Sequence, residues 1–257
     1  MMPELIEKTL NEVLPAVGER PEVLSAAVRW AVEGGGKRIR PQICLAAATA
    51  VGGRVEDARY PAAAIELLHS YTLVHDDLPC MDDDVERRGK ASVWAKFGEA
   101  NGVLAADALQ ALAFATAARA PRNAAAVVAE LARAGYGVVA GQVEDLVLQA
   151  DRSDTSRVAF VYEHKTADLV MAAACMGALA GGGTPDQVAA LRAYGLHLGL
   201  AFQHEDDLLD GDSPFDAAET ARRVLLHTKA AVEALASLPG DTTFLSSLAT
   251  RLVGRTA

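Results

Sequence analysis

Apolar residues recur three or four positions apart through nearly the whole chain, and strand-like alternation is scarce. That spacing excludes a sheet-built domain. The apolar residues are 51% of the chain, mainly alanine and leucine, with aromatics at only 5%, which favours helix over sheet. Helices are expected at about 3–16, 21–33, 37–51, 55–75, 98–118, 122–149, 155–181, 185–210, 214–236 and 241–253. Glycine and proline punctuate the gaps, at 34–36, 52–53, 121, 181–183 ahead of Thr184-Pro185, and 239–240. Ser213-Pro214 followed by Asp216 predicts an N-cap, a first-position proline and an acidic third residue. No repeat, low-complexity tract or linker interrupts the 257 residues, so one all-α domain of about ten helices, residues 1–257, is expected.

A net charge of −10 argues against nonspecific nucleic-acid binding. Cys44, Cys80 and Cys175 are scattered without metal spacing and are read as reduced, small core residues of a cytosolic protein. The N-terminal "MMPELIEKTLNE" is acidic and carries no apolar run, so no signal peptide is expected. The most apolar stretch, "LVMAAACMGALAGGG" from Leu169, is too short to span a bilayer and is expected to be a buried helix. Cytoplasmic location without a transmembrane segment is the expectation.

Chemistry gathers in two acidic segments. "LVHDDLPCMDDDVERRGK" (73–90) collects Asp76, Asp77, Asp82, Asp83 and Asp84, then reverses sign at Arg87, Arg88 and Lys90. "GLAFQHEDDLLDG" places Asp206 and Asp210 four apart on one helix face, with Asp207 beside them. Like charges at that spacing cost helix stability unless a cation neutralises them. Magnesium would, because it binds through one or two carboxylates plus phosphate oxygens. One such cluster alone reads as a solvated acidic face; two, each preceded by an apolar helical run, point to acids facing a shared cavity. Cations have their own pattern. "GGGKRIRP" sets Lys37, Arg38 and Arg40 at a helix start, where free N–H groups also favour anions, although an ordinary charged helix start reads the same way. Arg87 and Arg88 suit phosphate. Lys165 and Thr166 stand in "YEHKTADL", and His69 lies seven residues before Asp76 on the same helix face.

Taken in order, these segments resemble the trans-isoprenyl diphosphate synthases, the polyprenyl synthetase family, in its short-chain bacterial farnesyl/geranylgeranyl form. "GGGKRIRP" resembles the family's GGKxxRP, and "DDLPCMDDD" its first aspartate-rich motif in the form with two extra residues. "RRGK", "KFGEANGVLAADALQALAF" (with Ala106 where glycine is usual), "GQVEDL", "HKT" and "FQHEDDLLD" follow in the expected order. The resemblance implies a helical bundle around a central cavity, of the isoprenoid synthase type. It implies that Asp76, Asp77, Asp82, Asp206, Asp207 and Asp210 hold three Mg²⁺ ions on an allylic diphosphate, with Arg87 and Lys165 stabilising the leaving group. Thr166 and Gln203 would present oxygen dipoles to the allylic cation. Lys37, Arg40, His69 and Arg88 would grip isopentenyl diphosphate. Product length would be limited by the side chains four and five residues before the first aspartate, Thr72 and Tyr71, giving C15 with C20 next. A homodimer is implied as well.

The sequence departs from the pattern after Asp210. The family's lysine-bearing loop is missing, and no lysine occurs before Lys229; Arg222, Arg223 or Lys229 would have to compensate. Ala91 and Trp94 replace the usual proline and histidine after RRGK. Two rivals stay open: a class I terpene cyclase, which needs no second diphosphate site, and a catalytically silent partner subunit, which the missing loop would suit.

Overall fold

The computed structural model describes residues 2–33, 35–148, 154–211 and 213–251. Its helices are α1 (Met2–Val13), α2 (Glu22–Glu33), α3 (Ile39–Ala50), α4 (Arg59–Asp76), α5 (Val93–Phe97), α6 (Glu99–Ala117), α7 (Ala124–Leu148), α8 (Thr155–Val161), α9 (Asp168–Ala180), α10 (Pro185–Asp210), α11 (Ala217–Ala234) and α12 (Thr243–Thr250). A 3₁₀ turn, Val55–Ala58, leads into α4. Strands β1 (Glu86–Arg87) and β2 (Lys90–Ala91) form a small antiparallel hairpin that periodicity did not predict. Two residues per strand are too few to show alternation.

The centre of the bundle is built from α3, α4 and α9, whose small side chains let backbones approach. On α9 nearly every residue from Asp168 to Ala180 is buried, as expected for the Leu169 stretch. A Cβ on Gly177 would lie 2.0 Å from the Cys44 carbonyl oxygen, so α3 and α9 touch there only because that residue is glycine. On the other side of α9, α10 makes a similar approach through Gly195, and Gly199 of α10 lies as close to Ala167 just before α9. One contiguous apolar core runs from Ile6 and Leu10 to Leu245 and Ala249.

Three local readings change. The segment expected as one helix over 155–181 is continuous but holds a π-helical turn, Tyr162–Ala167, between α8 and α9. The helix expected from 214 starts at Ala217, because the Asp216 carboxylate, not Ser213, accepts the Glu219 N–H (2.8 Å) and caps it. Cys44 and Cys175 are core residues, whereas Cys80 is exposed. By contrast, the start of α10 is as read: Thr184 and Gln187 make a reciprocal capping box with Pro185 at the first position.

Helix α7 is the one described helix long and apolar enough to cross a membrane, with mean hydropathy 1.3 in its best window. Its inward side carries Val127, Leu131, Ala134 and Val138 against the core. Its outward side exposes Tyr136, Val139, Val143, Leu146 and Val147.

Candidate active site

Both acidic segments lie at helix C-termini, where the helix dipole already presents negative charge. Helix α4 ends at Asp76 and α10 at Asp210, and the last turn of α10 contains no basic residue. The arrangement is costly unless cations are brought to it.

In the first segment, burial pushes the Asp76 carboxyl up to about 6, with Asp82 adding to the rise and Lys165 opposing it. Asp77 is buried and accepts from Arg87 Nε (2.5 Å); its pKa is still raised, since burial outweighs the arginine. Arg87 also reaches Asp84 (3.3 Å). Asp82 is exposed, its N–H tied to the Asp76 carbonyl (2.9 Å). The β1–β2 hairpin explains the sign reversal in the sequence. Arg88 and Gly89 occupy its two turn positions with φ of 56° and 76°, the pairing a tight primed turn demands. Glycine suits that conformation and arginine does not, so Arg88 is held there by something other than local preference. Trp94 and Ala91 brace the loop: Trp94 Nε1 donates to the Asp84 carbonyl and Trp30 Nε1 to the Ala91 carbonyl, each at 2.9 Å.

The cations converge on a cleft of about 550 Å³ lined by Lys37, Arg38, Arg40, Glu66, His69 and Arg88 among others. Arg88 donates to the Gly35 carbonyl (2.5 Å), and a Cβ on Gly36 would collide with its guanidinium. Arg40 Nη1 lies 3.3 Å from His69 Nε2, leaving Arg40 Nε and His69 Nδ1 buried without partners. Burial and the surrounding arginines, Arg40 first, hold the imidazole pKa well below its usual value. Arg38, grouped with these cations by sequence, has a different task. It is buried, with ion pairs to Glu66 (2.7 Å) and Glu7 (2.8 Å), and its left-handed backbone (φ 48°) starts α3. Glu66 was the overlooked signal: a lone acid inside the buried run "AAAIELL" must meet a cation.

The π-helical turn carries Lys165 and Thr166 between the acidic segments. Lys165 Nζ donates to Asp145 (2.6 Å), and the Thr166 hydroxyl to Gln203 Oε1 (2.7 Å). Gln203 Nε2 in turn donates to Asp207 (2.9 Å). Asp207 is buried and also accepts from the Tyr162 hydroxyl, a contact for which the sequence held no signal. A Cβ on Gly141 would sit 2.5 Å from the Lys165 nitrogen, so α7 can lie against the turn only because it offers glycine there.

Beneath Asp76 a cavity of about 130 Å³ is lined by Tyr71, Thr72, His75, Val138, Gln142 and Leu146 among others. Tyr71 is buried edge-on to His75 (4.8 Å). The cations that would have to replace the missing lysine loop are committed within α11. Arg222 and Arg223 both pair with Glu219 (2.7 and 2.8 Å), and Lys229 lies 3.7 Å from Glu233.

Among the described residues no three His, Cys, Asp or Glu side chains close into a metal cage. The donor set is carboxylate oxygen throughout, which fits a hard cation completed by phosphate oxygens and not a closed structural site.

The polyprenyl synthetase profile matches residues 21–220. Geranylgeranyl pyrophosphate synthase 11 of Arabidopsis thaliana is 44% identical over 218 residues, covering 80% of this chain and 60% of its own length. The pepper (Capsicum annuum) geranylgeranyl pyrophosphate synthase is 39% identical over 252 residues, covering 95% of this chain and 68% of its own. The chain thus spans roughly two thirds or less of these relatives. The crystal structure of an FPP/GFPP synthase from Zymomonas mobilis superposes with a TM-score of 0.90 at 33% identity, over 98% of this chain and 97% of that one. Motif order, helical architecture and these matches agree: the chain belongs to the polyprenyl synthetase family.

Proposed function

We propose that the protein condenses isopentenyl diphosphate head-to-tail with an allylic diphosphate, giving a short-chain trans-prenyl diphosphate. The observation that carries this reading is two separate charged clusters, each suited to one diphosphate. One is the pair of acidic helix ends around Lys165; the other is the cleft of Lys37, Arg40, His69 and Arg88, whose buried Arg40 Nε and His69 Nδ1 lack partners. A cyclase has use for only the first.

Asp76, Asp82, Asp206 and Asp210 would hold Mg²⁺ through the allylic diphosphate. Asp77 and Asp207, secured by Arg87 and by Tyr162 with Gln203, would complete the set or orient their neighbours. When bound, the metal supplies charge neutralisation for the departing diphosphate. Lys165 and Arg87 add fixed positive charge where the negative charge develops. The Thr166 and Gln203 oxygens, bonded to each other, would present their remaining lone pairs to the allylic carbon, and the alanine- and leucine-rich helix faces would exclude water. Lys37, Arg40 and Arg88 orient the second diphosphate so that its double bond meets that carbon. Neutral His69 adds a hydrogen bond without competing for the anion. No protein nucleophile is needed.

Tyr71 and Thr72 line the cavity below Asp76, which favours a C15 product. C20 is the second reading, supported by the geranylgeranyl names of the Arabidopsis and pepper relatives. The exposed apolar side of α7 (Tyr136, Val139, Val143), with Val103 and Leu104 of α6, suits pairing with a second copy.

The test is incubation with Mg²⁺, labelled isopentenyl diphosphate and dimethylallyl or geranyl diphosphate, with products sized after dephosphorylation. A C15 or C20 alcohol is expected, and Tyr71→Ala should lengthen it. A hydrocarbon from the allylic substrate alone would mean a cyclase. No turnover with either starter would mean a silent subunit.

A further inference from the structure

Asp168, the first residue of α9, is a carboxylate only 1% exposed that the mechanism above does not use. A buried charge of this kind survives only if each oxygen is paired. Both are. Arg133 Nη1 of α7 reaches Oδ1 at 2.8 Å, and His164 Nδ1 lies 2.8 Å from Oδ2. Space for the second oxygen exists because position 137 is glycine: a Cβ there would lie 1.9 Å from Oδ2. Arg133 also contacts Glu130 (3.4 Å), which pairs with Arg192 of α10. Asp168 therefore ties α9 to α7 and holds His164 inside the turn, and the Arg133–Glu130–Arg192 chain extends the network to α10, the third helix that frames the π-helical turn.

The location matters. A π-turn inserts an extra residue into the helix and is less stable than the α-helix on either side, so it needs tertiary contacts to persist. Lys165 and Thr166 follow His164 directly. We infer that Asp168 is a positioning residue: by clamping His164 and Arg133 it fixes the π-turn and so aims Lys165 and Thr166 at the allylic diphosphate. The inference rests on the proposed function for its substrate and on the geometry alone for the clamp.

Its test is Asp168→Ala in the full chain, read in two ways. In steady-state turnover the KM for the allylic diphosphate should rise about tenfold and kcat should fall, as expected for a displacement of about 1 Å. The KM for isopentenyl diphosphate, whose cleft lies on α3, α4 and the hairpin, should stay within about twofold. Amide hydrogen exchange should accelerate at residues 162–167 more than in α4 or α6. Asp168→Asn should recover most of the loss, since its amide still accepts from Arg133 and can donate to the other tautomer of His164. Equal losses for both substrates, or exchange at 162–167 unchanged, would overturn the assignment. Should Asp168→Ala fail to fold, Arg133→Gln tests the same split, because that arginine is 42% exposed and can be lost more cheaply. If the wild-type chain turns over no allylic diphosphate, the proposed function fails while the exchange measurement still decides the clamp.

Discussion

The two acidic segments look alike in sequence and are neutralised in opposite ways. At the end of α4, Asp77 is held by Arg87, a full positive charge delivered by the hairpin. At the end of α10, Asp207 is held by Tyr162 and Gln203, neutral donors that satisfy its oxygens without cancelling its charge. At Asp77 the counter-charge comes from within the fold; at Asp207 the bonded partners leave the negative charge in place. Behind them the same contrast recurs. Arg38 and Glu66 back the first as a buried ion pair, whereas three histidines back the second between α10 and α11: His227 stacks on His204 and lies within hydrogen-bond distance of His197.

The sharpest test of this contrast is to remove one charge from each segment. Asp76→Asn and Asp206→Asn should each lower kcat/KM by on the order of 10²–10³. Magnesium titrations should show the larger rise in half-saturating concentration for Asp206→Asn, because the adjacent Asp207 is held by neutral donors whereas Arg87 stands beside the acids of the first segment. Equal Mg²⁺ dependence in the two variants would break the comparison.

Stability should follow the same division at a smaller scale. Arg87→Ala leaves a buried carboxylate facing its acidic neighbours and should cost on the order of 2 kcal/mol in chemical denaturation. Tyr162→Phe removes one neutral hydrogen bond to a carboxylate that keeps Gln203, so about 1 kcal/mol is expected. The reverse order would mean that arginine is not what neutralises the first segment.

The smallest effect is acid sensitivity of the helix behind the second segment. Burial holds the His227 pKa down to about 4, with His197 and His204 adding to the shift. An unfolded histidine titrates near 6.5, so the unfolded chain takes up more protons between those values. The stability from keeping His227 neutral is thus fully present above about pH 6.5 and is lost as pH falls toward 4. Denaturation midpoints followed over that window should decline, and His227→Gln should reduce the total loss of stability across it by about 1 kcal/mol.

Much of the site was legible before the structure because its residues are chemically expensive. Paired acids near helix ends, arginines at a glycine turn and a Lys-Thr pair ahead of an apolar helix all conflict with local preference, and that conflict can be read from sequence. Arg38 shows the limit. It lines the same cleft as Lys37 and Arg40, but whether an arginine's charge is free for a ligand or taken up by a buried glutamate depends on Glu66, contributed by a different helix. The π-turn was invisible because a single extra residue does not disturb helical periodicity over a long apolar segment.

By itself, then, the sequence determined the helical class, nearly every helix and where carboxylates and cations gather along the chain, since periodicity and charge are local properties. Only the tertiary structure decided which of each acidic pair turns inward, what neutralises it, and that a buried aspartate on α9 braces the turn between them. Those outcomes depend on partners far apart along the chain, and burial sets the cost of leaving a charge unpaired only once the helices have packed.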